Sequence, residues 1–126
     1  MRLKVNQTAF DISSENALRD KMVESAHLPF REVWLNIEDG PALCALLNKK
    51  IGWLMYLREP GDSGSSSRNP AYSGSDTDVV EYRLGNGQVD EYPANWALSE
   101  ADILNALTYF LAHQSRPTFI AWHDDG

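Results

Sequence analysis

Ile51-Gly52-Trp53-Leu54-Met55-Tyr56-Leu57 decides the fold, because from Trp53 onward it is apolar at every position. Successive side chains of a strand point to opposite faces, so a run that is apolar on both needs cover on both sides. The segment therefore reads as a central strand. It is separated by Asn48-Lys49-Lys50 from a second apolar run, residues 42–47. That run fits a strand or a short helix equally, since a brief apolar stretch does not fix its own period.

Working toward the N-terminus, Glu38-Asp39-Gly40-Pro41 is a turn signal. Before it, Arg31–Ile37 alternates as a strand, with Val33, Leu35 and Ile37 on a core face and Glu32, Trp34 and Asn36 on the other. Leu18, Met22 and Ala26 recur every four residues, which predicts an amphipathic helix capped by Ser13 or Ser14 and running to about residue 26. Residues 2–6 alternate as a half-buried strand carrying Leu3 and Val5 inward.

Toward the C-terminus, residues 79–84 and 88–93 flank Asn86-Gly87, a dipeptide suited to a two-residue hairpin turn. That turn sets Leu84 opposite Val89, Arg83 opposite Asp90 and Tyr82 opposite Glu91. Val80, Tyr82, Leu84 and Val89 then share one face, and Glu81, Arg83 and Asp90 the other. Ser99-Glu100-Ala101-Asp102 caps a second helix with Ile103, Leu107, Phe110, Leu111 and Gln114 on one stripe, ended by Arg116-Pro117. Thr118–Trp122 reads as a last strand. The expected fold is α+β: residues 1–126 as a single domain, a single mostly antiparallel sheet backed by two helices.

The chain has 126 residues, enough apolar material for one core and too little length for two. No charged-then-apolar leader and no eighteen-residue apolar run is present, and Cys44 is the only cysteine, so a reducing cytoplasmic location is expected. The net charge of −7 is unevenly placed. Residues 1–75 carry nine acids and nine bases, whereas residues 76–126 carry nine acids against Arg83 and Arg116. Such a field repels nucleic acid and draws in basic surfaces, although acidity also serves plain solubility.

Gly61-Asp62-Ser63-Gly64-Ser65-Ser66 has the shape of a serine-protease nucleophile loop, with Ser63 as the nucleophile and His27 and Asp39 in the matching order. A serine attacks only where a histidine base, oriented by a carboxylate, stands within hydrogen-bond reach, and the chain is too short for the two-barrel scaffold that achieves this. Residues 62–78 read otherwise as a long loop, either flexible or in contact with a partner. His123-Asp124-Asp125 reads as a solvated tail rather than a metal site. One cysteine excludes the zinc-deaminase pattern, and no phosphate-binding loop or basic aromatic surface for nucleic acid is present. Trp34, Trp53, Trp96 and Trp122 are read as core before interface.

Three stretches carry a resemblance: Gly52–Leu57 with the Gly/Ser loop through Arg68-Asn69-Pro70; Val80-Glu81-Tyr82 through Gly85-Asn86-Gly87 to Glu91-Tyr92-Pro93; and Ala106-Leu107 through Phe110 to Arg116-Pro117 and Ile120-Ala121-Trp122. Over about residues 51–123 the chain resembles bacterial polymorphic-toxin immunity proteins, of the family numbered first among them. Proteins similar to it accompany toxins that damage nucleic acid, including deaminases. The resemblance implies a non-enzymatic inhibitor that occludes a cognate toxin domain, with no cofactor and no membrane or nucleic-acid partner. The expected contact surface joins Arg58, Glu59, Asp62, Ser65, Arg68, Asn69 and Tyr72 to the acids Asp76, Asp78, Glu81 and Asp90. A small serine hydrolase using Ser63, or an interaction module unrelated to toxins, are the alternatives.

Overall fold

The computed structural model describes residues 1–126 as a mostly antiparallel sheet with two helices on one face and a hairpin on the other. In chain order the elements are β1 (Arg2–Val5), β2 (Thr8–Asp11), α1 (Glu15–Glu24), β3 (Phe30–Asn36), β4 (Ala42–Asn48), β5 (Ile51–Leu57) and β6 (Ser65–Arg68). There follow β7 (Val79–Arg83), β8 (Val89–Pro93), a short 3-10 turn at Ala94–Trp96, β9 (Leu98–Ser99), α2 (Glu100–His113) and β10 (Ala121–Asp124). The large sheet runs β10-β6-β5-β4-β3-β1-β2, while β9 shares the outer side of β5 with β6.

The run at 42–47 resolves as a strand that pairs with β3 on one side and β5 on the other, and Ala42–Leu47 is buried throughout. Both faces of this strand and of β5 are covered, as the apolar pattern of 53–57 predicts. Leu3, Val5, Val33, Leu35, Leu43, Ala45, Leu47 and Leu54 face the helices, where they join Leu18, Met22, Ile103, Leu107 and Phe110 in a cluster of 17 buried residues that also takes in Ile12, Leu98, Ala106 and Ile120. Cys44, Leu46 and Trp53 face the other way and close with Tyr82 into a second cluster of 4. Burial pushes the Cys44 thiol up.

Both helices begin where a serine can accept from a free amide: Ser14 from Ala17 N–H at 3.1 Å, and Ser99 from Asp102 N–H at 3.2 Å. The first helix stops at Glu24, so Ala26 lies beyond it and is exposed. The second stops at His113, three residues before Arg116, because Gln114 turns left-handed (φ 56°) and donates its N–H to Phe110 O. The Arg31 guanidinium, 2% exposed, crosses beneath the start of α2 and donates to Glu100 Oε2 at 2.8 Å.

Four expectations need correction. The 62–78 stretch is not one open loop: Ser65, Ser66 and Ser67 are buried in β6. His123-Asp124-Asp125 is exposed as expected but is not a free tail, since His123 pairs with Ser66, Asp124 with Ser65, and Asp125 N–H donates to Gly64 O at 2.9 Å. The last strand is Ala121–Asp124, not Thr118–Trp122.

The hairpin register is also displaced by one residue. Arg83 lies opposite Val89, Tyr82 opposite Asp90 and Glu81 opposite Glu91. Leu84 N–H donates to Gln88 O at 2.9 Å and Gly87 N–H to Leu84 O at 3.0 Å, with Gly87 at φ 91°. Gly85-Asn86-Gly87 thus forms a three-residue loop ending in a left-handed glycine, the alternative to the two-residue turn. A slip of one residue exchanges faces. Val89 moves outward beside Glu81, and Asp90 moves inward beside Tyr82.

Candidate functional site

The residues expected to meet a partner fall into two groups. Arg58, Glu59, Asp62, Ser65 and Arg68 lie on β6 and on the segment that leads into it from β5. Arg58 clamps Asp62 through Nε at 3.1 Å and a terminal nitrogen at 2.8 Å, and its backbone N–H donates to the same carboxylate at 3.0 Å. These bonds hold the Asp62 carboxyl well below the usual range and raise Arg58. Glu59 is exposed. Ser65 Oγ donates to Asp124 Oδ1 at 2.9 Å and accepts from Arg116 at 3.1 Å, while Arg116 reaches Asp124 at 3.3 Å. Arg68 stacks over Trp96 at 3.8 Å and donates to Ser66 Oγ and Ser67 O. Desolvation there lowers its pKa. Apart from Glu59, each side chain in this group already has partners within the chain, Arg68 among neutral groups, which marks the group as a fastening of β6 and β10.

Asn69, Tyr72, Asp76, Asp78, Glu81 and Asp90 belong to the hairpin and the loop that feeds it. Asn69 is structural: Nδ2 donates to Ala97 O at 2.9 Å and its backbone N–H to Asn95 O at 2.8 Å. Asp78 accepts from Tyr72 Oη at 2.7 Å and Ser75 N–H at 3.2 Å, which closes the loop and raises the Tyr72 phenol. Asp76 is exposed. Asp90 accepts from Gln88 Nε2 at 2.8 Å and Tyr92 Oη at 3.3 Å. Tyr92 is pushed up to about 12, by desolvation first and then by the Asp90 charge.

The outer face of the hairpin carries Val79, Glu81 and Arg83 on β7 and Val89 and Glu91 on β8. Val79 is 59% and Val89 49% exposed. Glu81 stands directly opposite Glu91, a like-charge pair that costs a sheet stability, relieved in part by Arg83 Nε at 3.2 Å from Glu81. The displaced register hid Glu91 and Val89 from sequence reasoning. Gly85 before Asn86-Gly87 was the available signal, since it admits the longer loop.

The hairpin's inner face is fastened firmly. Tyr92 stacks on Trp53 with ring centroids 4.5 Å apart and on Trp96 at 5.8 Å. Glu32 Oε1 accepts from Gly85 N–H at 3.0 Å, and Asn48 Nδ2 donates to Glu81 O at 2.9 Å. Trp53 is core as expected, whereas Trp34, Trp96 and Trp122 are half-buried.

Ser63 is exposed in the turn before β6, near one edge of the sheet. His27 follows α1 at the other edge, sharing a groove with Val5, Thr8 and Phe10, and its Nδ1 lies 3.0 Å from Glu24 O. Asp39 sits in the turn between β3 and β4. From β6 to β1 there are four strand spacings, roughly 19 Å, so the three residues do not form a nucleophile, base and orienter. No three His, Cys, Asp or Glu side chains come together as metal ligands, and no helix is long and apolar enough to cross a membrane.

Among known proteins, the family model described as Immunity protein Imm1 matches residues 14–124, which takes in α1, β3 and β4 as well as the stretches whose motifs resemble the family. No curated protein matches the chain. The chain belongs to the Imm1 family of immunity proteins.

Proposed function

We propose that this chain folds and acts as one domain in the cytoplasm, binding a cognate toxin domain and occluding its active site without catalysing a reaction itself. The toxin is a nucleic-acid-targeting deaminase or nuclease. Enzymes of that class present a basic cleft to phosphates, and carboxylates on a rigid surface occupy such a cleft in their place. The observation that carries the reading is the outer face of the hairpin, where Glu81 and Glu91 are held side by side between exposed Val79 and Val89. Asp76 and Asp78 extend the same charge along the loop.

Co-expression with the toxin domain encoded beside it tests the proposal. Growth is restored, and the two chains co-elute as a complex. Replacing Asp76, Glu81 and Glu91 with lysine reverses the field and abolishes rescue while the fold persists by circular dichroism. Full rescue by that triple variant would refute the assigned surface, and absence of both rescue and complex would refute the function.

A further inference from the structure

The two edges of the β7–β8 hairpin are unlike. On the β7 side the chain lies against β3 and β4, and the outward Glu81 carbonyl is taken by Asn48. No strand pairs with the far side of β8. The phase of the ladder follows from two bonds: Leu84 N–H to Gln88 O at 2.9 Å, and Ala94 N–H to Asp78 O at 2.8 Å. Gln88, Asp90, Tyr92 and Ala94 therefore turn their backbone groups toward β7, and the intervening Val89 and Glu91 turn N–H and C=O away from it. Pro93 contributes an outward carbonyl and no donor.

We propose that this open edge of β8 is a docking strand, to which an extended segment of the toxin adds as a third strand with a lysine or arginine beside Glu91. The inference rests on the toxin-binding reading above and specifies its geometry. A strand added at this edge exchanges main-chain hydrogen bonds with Val89 and Glu91, and its alternate side chains fall on the face that already holds Glu81, Glu91, Val79 and Val89. A cation there relieves the repulsion between the two carboxylates, and an apolar neighbour covers Val89. The same charge keeps a second copy of this chain away, because pairing β8 with itself would bring two Glu91 side chains together. The edge thus admits a basic strand and rejects its own kind.

Amide hydrogen exchange read residue by residue, on the free chain and on its complex with a catalytically silenced form of the adjacent toxin domain, tests this. The Val89 and Glu91 amides exchange fast in the free chain, unlike Asp90 and Tyr92, and slow by at least about a hundredfold in the complex. Glu91→Pro removes an outward N–H that the hairpin ladder does not use, so the fold tolerates it. It weakens binding about tenfold further than Glu91→Ala, which removes only the carboxylate. A complex in which Val89 and Glu91 exchange as in the free chain would overturn the docking strand and leave neutralisation standing. Failure to form any complex would overturn both.

Discussion

Ser67→Ala removes one oxygen from a fully buried site. β6 pairs with β5 only at Met55 and Tyr56, and β9 pairs with it only at Ile51 and Gly52. The side of β5 between them, at Trp53 and Leu54, has no strand beside it. Ser67 Oγ fills that gap: it accepts from Leu54 N–H at 3.0 Å and donates to Trp96 O at 3.1 Å. Ser67 and Leu54 are each 0% exposed. With alanine, no water replaces the hydroxyl, and a buried amide donor is left without a partner. A neutral hydrogen bond contributes about 1 kcal/mol net, and a stranded buried donor costs about 1–3 kcal/mol, so the expected loss is about 2 kcal/mol. For a chain of this length that lowers Tm by roughly 6–10 °C.

Urea and thermal unfolding followed by circular dichroism measure the loss, with Ser63→Ala as the control. Ser63 is exposed, so its substitution shifts stability by less than about 0.5 kcal/mol. If Ser67→Ala were equally silent, the hydroxyl would not be bridging the gap, and the serine run would be the open loop that its composition suggests.

Gly52→Ala places a Cβ 2.9 Å from Leu46 O and 3.0 Å from side-chain carbons of Ile103 and Leu47, so it lowers stability by about 1–3 kcal/mol in urea unfolding. Glu91→Lys turns the cross-strand repulsion with Glu81 into attraction and stabilises the free chain by about 0.2–1 kcal/mol, while neutralisation is lost. A gain in both stability and neutralisation would contradict the assigned face. Burial raises the Tyr82 and Tyr92 phenols, so the fold favours their protonated forms. The contribution of Tyr92 is whole below about pH 10 and disappears as pH rises through about 12, and that of the more deeply buried Tyr82 is lost at higher pH still. A tyrosinate absorbance titration therefore finishes only with loss of the near-ultraviolet circular dichroism signal; completion near pH 10 with that signal intact would refute it.

Where one face of an element is apolar and the other polar, the sequence was legible. Val33 and Leu35 on β3, Leu18 and Met22 on α1, and Ile103, Leu107 and Phe110 on α2 all point where their spacing says. β4 was ambiguous because both of its faces are buried, which erases the period. Ser65, Ser66 and Ser67 misled because their burial depends on partners far along the chain, namely Asp124, His123 and Trp96. Composition reports a serine's preference for turns and is silent on a hydroxyl that completes a sheet. The C-terminal strand was hidden for the same reason, since its acids pair with Arg116 and with β6 rather than with each other. At the candidate site, the acidic bias was legible and its placement was not. One extra residue in the hairpin loop decides which carboxylates share a face.

That single residue also separates the work of folding from the work of binding. The main cluster of 17 residues lies entirely on the helix side, so the opposite face needs only its small cluster around Trp53 and Tyr82 to hold the hairpin. Inward-facing Tyr82, Asp90 and Tyr92, with anchors from Glu32 and Asn48, fix the hairpin's position and leave Val79, Val89 and Glu91 on the outer face free for a partner. A surface fixed in this way loses little conformational entropy when a partner arrives, so its charge complementarity is converted into affinity with little offset. Glu81 and Glu91 can therefore repel each other in the free chain, where Arg83 relieves the pair only in part, and a cation carried beside Glu91 by a docked strand relieves it further.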